Sequence, residues 1–279
     1  MNILVKILLW LQGEMMTPLR YGWFHLMWIF FVIIAFVILY KLKNKYSEKQ
    51  LKLVLGIYSI IALVLEVLKQ VIWSLDYNIV SNTITFDYQW YAFPFQLCTT
   101  PIIVCLICLF LKKTKLRTAL LSYLSYITIL GSIATVILPD SCFTSTTLVN
   151  IHTMWLHFGS LVVSIYLLMT KEVEIKLDNL IHSFYVFFIF LTIAETLNLF
   201  VYNSGILNGE VFDMFYVSPY FISTLPIFDV VQENVPFLIF FVFYISVILL
   251  GGFLIYYVSL GLSKLSLKNI IKKKKPMVS

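Results

Sequence analysis

Two residues of this chain have the types and the placement for nucleophilic catalysis: the thiol of Cys98 and the imidazole of His157. Cys98 lies in Phe93-Pro94-Phe95-Gln96-Leu97-Cys98-Thr99-Thr100-Pro101, just inside the start of a strongly apolar stretch. A helix start presents unpaired N–H groups and partial positive charge, which favours thiolate over thiol. His157 lies about two turns into another apolar stretch, where an ionisable residue is expensive and is a functional candidate by default. An imidazole next to a thiol can take its proton and return it to a leaving group.

The neighbours of Cys98 set it apart from the other cysteines. Gln96, Thr99 and Thr100 are polar, Pro94 suits a first helical turn, and Pro101 is expected to kink the span. Gln96 and Thr99 are therefore candidate substrate contacts. Cys105 and Cys108 sit among aliphatic residues and read as packing. Glu66 and Lys69 are three apart on one helical face, with Gln70 four from Glu66; they read as a neutralising pair or the polar wall of a substrate cavity. Glu195 and Asn198 repeat the theme. His152, five residues before His157, does not share its face, so the two make no helical metal pair; it reads as solvated near the interface. No dinucleotide, phosphate-loop or metalloprotease signature is present, and neither a cofactor nor a metal is expected.

What must position these residues is a membrane bundle. Of 279 residues 61% are hydrophobic and 12% charged, against about a quarter charged in soluble domains. The expected class is all-α: a polytopic membrane helix bundle, multi-pass in the cell membrane. Seven stretches reach the ~20 residues needed to span: about 21–40, 53–75, 92–111, 118–138, 150–169, 181–202 and 236–258.

Basic residues cluster in alternate loops and so set orientation rather than nucleic-acid binding. Lys41, Lys43, Lys45, Lys49 and Lys52 fill one loop; Lys112, Lys113, Lys115 and Arg117 another; Lys171 and Lys176 a third. The tail adds Lys264, Lys268 and Lys272 to Lys275, a cluster suited to anionic headgroups. Loops 76–91, 139–149 and 203–235 have no basic residue. Seven transmembrane helices with the N-terminus outside and the C-terminus cytoplasmic satisfy every loop. The domains expected are an N-terminal interfacial segment, 1–20, a seven-helix transmembrane domain, 21–260, and a basic cytoplasmic tail, 261–279. Loop 203–235, rich in Phe, Tyr and Ile, reads as a packed external lid. Both spans three and five then enter from the outer face, with Cys98 roughly 9 Å and His157 roughly 10 Å from their outer ends.

Together these features resemble the YwaF-like bacterial integral membrane proteins, related to a vertebrate seven-span membrane phospholipid acyltransferase. The resemblance runs from about Met16 to Tyr257. It rests on His25 after a proline, Pro94-Phe95-Gln96-Leu97-Cys98, His157, and the external segment Phe215-Tyr216-Val217-Ser218-Pro219. Gln96 stands where bacterial members often have histidine. The resemblance implies Cys98 as nucleophile and His157 as base of a lipid acyltransferase working through a thioester, with His25 a candidate substrate contact. Its partners would be membrane lipids, a phospholipid acyl donor and a lysolipid acceptor. The alternative is a small-molecule binding or transport protein in which Glu66, Lys69, Glu195 and the external loop line a cavity and Cys98 is merely packed.

Overall fold

The computed structural model describes residues 3–43, 46–78 and 80–274. Lys45 and Lys275, with the side chains of Lys268 and Lys272 to Lys274, lie outside the described residues. Among the described residues the regular structure is helical apart from one two-stranded hairpin, and six helices are long and apolar enough to cross a membrane. These are α2 (Trp23–Leu42), α3 (Glu48–Ser74), the helix running from α5 (Lys115–Tyr123) into α6 (Ile129–Ile137), α7 (Thr147–Met169), α8 (Leu177–Asn203) and α10 (Phe237–Lys274).

Local chemistry sets several of the helix starts. The Ser47 hydroxyl accepts the Gln50 N–H at 3.2 Å and Thr114 accepts that of Arg117 at 3.3 Å, satisfying donors left open at the starts of α3 and α5. Between α5 and α6, residues Leu124–Thr128 form a π-helical turn, a feature common at functional sites. Helix α10 is continuous through 38 residues, so the expected basic tail continues the helix of the last span.

The stretch expected to form a third spanning helix does not form one. Its helix, α4 (Thr100–Phe110), has 11 residues and is ~16 Å long, half the ~30 Å a span requires. Residues 93–99 before it are irregular. Pro94 and Pro101 are the cause, because Pro disfavours helix in the residue before it and is best tolerated in a first turn. Pro101 thus begins the helix instead of kinking it.

Loop 76–91 holds the hairpin, β1 (Leu75–Asn78) with β2 (Thr83–Phe86), in the register Leu75 to Phe86. Its signal was the β-branched run Thr83-Ile84-Thr85. Helix α1 (Ile3–Gln12) packs at the same end of the bundle: the Gln12 amide donates to the carbonyls of Ile72 and Leu75 at 3.1 and 3.0 Å. At the other end Arg117, almost fully buried, bonds Glu48 at 2.6 and 2.9 Å and Glu172 at 3.2 Å, tying the starts of α3 and α5 to the turn after α7. Loop 203–235 carries a short helix, α9 (Phe228–Asn234), and buries Phe212, Met214, Phe215 and Val217.

Candidate functional site

Cys98 stands in a tight turn two residues before α4, outside the first helical turn where the sequence placed it. The Thr99 side chain closes the turn: its oxygen accepts the Gln96 N–H and donates to the Gln96 carbonyl, both at 2.9 Å. The Thr99 and Thr100 amides donate to that carbonyl too, at 2.9 and 3.2 Å. Thr100 continues outward to the Tyr123 hydroxyl at 2.8 Å. Thr99 is therefore a brace for the thiol's backbone. Cys98 is half-buried, whereas Cys105 and Cys108 are buried in the core as packing residues.

The side-chain amide of Gln96 is committed to the external segment. Its N–H donates to the Asp213 carbonyl and its oxygen accepts the Phe215 N–H, both at 2.8 Å. Asn198 grips the residue between, accepting the Met214 N–H at 2.7 Å and donating to the Met214 carbonyl at 3.1 Å. Gln232 on α9 extends the pattern to the Ser218 and Phe221 carbonyls, at 3.1 and 2.9 Å, and to the Ser223 N–H at 2.8 Å. This bracing holds Phe215 and Tyr216 at φ 61° and 60°, a left-handed region that bulky residues rarely enter. The Phe215 ring stacks on Phe95 at 5.9 Å, and the Tyr216 hydroxyl comes within electrostatic reach of Cys98.

A buried polar cluster adjoins the thiol. Glu66 takes three donors: Lys69 at 2.7 Å, Gln70 at 2.8 Å and His152 Nε2 at 2.7 Å. Lys69 and Gln70 also donate to the Ala92 carbonyl, at 3.1 and 2.5 Å. The expected Glu66–Lys69 pair forms, and Cys98 lies within electrostatic reach of both members. His152, expected to be solvated, is only 4% exposed; sequence reasoning missed it because its partner lies on another helix, 86 residues away.

His157 turns toward α6, where Nδ1 meets the Thr135 hydroxyl at 3.1 Å. Its surroundings and those of Cys98 share Tyr58. That hydroxyl lies within electrostatic reach of Cys98 and donates to the carbonyl of Leu156, next to His157, at 3.3 Å. His25 is fully buried in an aromatic nest of Tyr21, Phe143 and Phe158, and its Nδ1 accepts the Tyr21 N–H at 3.1 Å. It serves to close the turn that starts α2. The Glu195 carboxylate accepts the Asn198 amide at 3.1 Å beside Met214. No group of His, Cys, Asp or Glu that could hold a metal occurs among the described residues.

A half-buried thiol and a buried ionic cluster, set at the broken entrance of a short helix within long apolar ones, define a multi-helix integral membrane protein with a polar internal site. The chain belongs to the TMEM164 family, whose model matches residues 20–257. No curated protein and no solved structure matches it.

Proposed function

We propose that the chain is a multi-pass cell-membrane lipid acyltransferase in which Cys98 is the nucleophile and His157 the base. Cys98 attacks the ester of a phospholipid donor, the lysolipid alcohol departs, and the acyl group stays on sulfur as a thioester until an acceptor takes it. The observation that carries this reading is the setting of Cys98, a braced thiol on irregular backbone beside charged and phenolic side chains. In lipid, irregular backbone is tolerated only where protein buries it or a wet cavity adjoins it. Tyr58, which reaches both Cys98 and the backbone beside His157, supports that histidine as partner. The resemblance to the YwaF-like proteins points to the same pair.

The topology belongs to this proposal. Residues 87–114, irregular and then helical, make the return crossing between α3 and α5, giving seven crossings with the N-terminus outside and the C-terminus cytoplasmic. Segment 1–20 then lies at the outer interface, loop 203–235 covers the outer entrance, and the basic tail meets the cytoplasmic leaflet.

Purified protein mixed with phosphatidylglycerol vesicles labelled in the acyl chain should acquire a hydroxylamine-labile label at Cys98. His157→Ala should slow labelling at least 100-fold. Wild-type transfer by Cys98→Ala would sink the mechanism.

A further inference from the structure

In the cluster whose Glu66 and Lys69 lie within electrostatic reach of Cys98, two buried polar atoms have no hydrogen-bond partner: His152 Nδ1 and Gln70 Oε1. Both side chains are anchored on Glu66 through their other ends. Glu66 receives three donors, so it is the acceptor-only carboxylate, and His152 must carry its proton on Nε2. Its Nδ1 is then a bare lone pair. The Gln70 nitrogen faces two oxygens, Glu66 Oε1 and the Ala92 carbonyl, which leaves Oε1 as the open atom. The cluster therefore presents two unfilled acceptors, next to a Lys69 ammonium that spends two of its three N–H donors on Glu66 and the Ala92 carbonyl. Native interiors rarely leave such atoms unpaired without a ligand or a chemical role.

We infer that His152, Glu66 and Gln70 form the acceptor half of the site, which binds a hydroxyl group and removes its proton to discharge the acyl group from Cys98. The inference rests on the acyl-transfer reading and divides its two half-reactions between two histidines. A hydroxyl, of a lysolipid or of water, donates to His152 Nδ1 or Gln70 Oε1. As its oxygen attacks the thioester carbonyl, the new C–O bond forms and the C–S bond breaks. The hydroxyl proton passes to His152 Nδ1, and the Cys98 thiolate takes it back, leaving the ester or free fatty acid. Glu66 stabilises the transient imidazolium through Nε2, the arrangement by which a carboxylate holds a catalytic histidine in one tautomer. Glu66 and Gln70 are positioning residues here.

The test separates the half-reactions. Labelled phosphatidylglycerol vesicles supply the donor, lysophosphatidylglycerol is added as acceptor, and three pools are followed: label on Cys98, on the lysolipid and in free fatty acid. His152→Gln can still donate to Glu66 but cannot take a proton. It should acquire the label on Cys98, retain it, and release it to lysolipid and water at least 100-fold more slowly. Hydroxylamine should clear the retained label. Discharge by the wild type should rise with pH through one ionisation that the variant lacks. Gln70→Leu should raise the KM for lysolipid more than it lowers kcat.

Discharge by His152→Gln at the wild-type rate, to either acceptor, overturns the inference. So does a variant that is folded by thermal scan yet fails to acquire label. If the wild type itself shows no label on Cys98, the acyl-transfer reading fails first, which is a distinct outcome.

Discussion

Gln96 and Asn198 close on adjoining peptide groups of one segment, Gln96 bridging Asp213 and Phe215 while Asn198 takes both backbone groups of Met214. The turn bearing Cys98 and the loop before the last span are thus joined across more than 100 residues of sequence.

Replacing Gln96 by Leu removes both bonds and strands a buried N–H and a buried carbonyl. The expected loss is about 2–4 kcal/mol, read as a lowered unfolding midpoint in detergent. Asn198→Leu should behave alike. Because the two amides hold one segment, the double variant should lose less than the sum of the singles. Strict additivity would show that the two grips are independent.

Asp213 makes the same segment sensitive to pH. Burial, with the Glu195 carboxylate nearby, pushes its carboxyl up to about 7 despite the Ser218 N–H that it accepts at 2.7 Å. The folded pKa lies above the unfolded one, so this group's contribution is fully present below the usual 3.8 and is lost as pH rises through about 7. Asp213→Asn keeps an acceptor for Ser218 and stays neutral. It should raise the midpoint at about pH 8 and flatten the curve between about pH 4 and 8. A midpoint as pH-dependent as in the wild type would exclude Asp213 as the source.

In the ionic cluster, removing one partner should be worse than removing both. Lys69→Met leaves Glu66 buried with less compensation, at a cost of about 3–5 kcal/mol. Adding Glu66→Gln to it should restore part of that, measured by the same midpoint. Further destabilisation by the second change would show that each side chain is needed independently.

Gly159 permits the close approach of α7 to α3. A Cβ there would lie 2.7 Å from the Tyr58 ring, which is buried. Gly159→Ala should therefore cost about 1–3 kcal/mol and displace Tyr58 from the Leu156 carbonyl. Slowed acylation of Cys98 with His157 intact would accompany that displacement; an unchanged midpoint would show that the ring yields freely.

The features that were legible in the sequence are those set by local composition. Hydropathy over ~20 residues marks six of the spans, and the spacing of Glu66 and Lys69 is enough to pair them. Hydropathy does not reveal that the helix within 92–111 is only 11 residues long, because it counts apolar residues without asking whether Pro94 and Pro101 permit helix. His152 was misplaced for a different reason: depth from a helix end says nothing about what the neighbouring helix offers, and α3 offers Glu66. Gln96 looked like a substrate contact because it is polar near a thiol. Its actual partners are peptide groups more than 100 positions away, which no spacing rule reaches.

Gln96, Asn198 and Gln232 share a property with consequences for this segment's freedom to vary. All three address main-chain atoms, which every residue but proline supplies alike. The path of the chain from 213 to 223 is thus held by three amides outside it, together with Asp213 and Ser218, which accept main-chain N–H groups from within it. Its other side chains, where they are not packed, can be exchanged without redirecting it, so two proteins with dissimilar residues here can carry the same main-chain path.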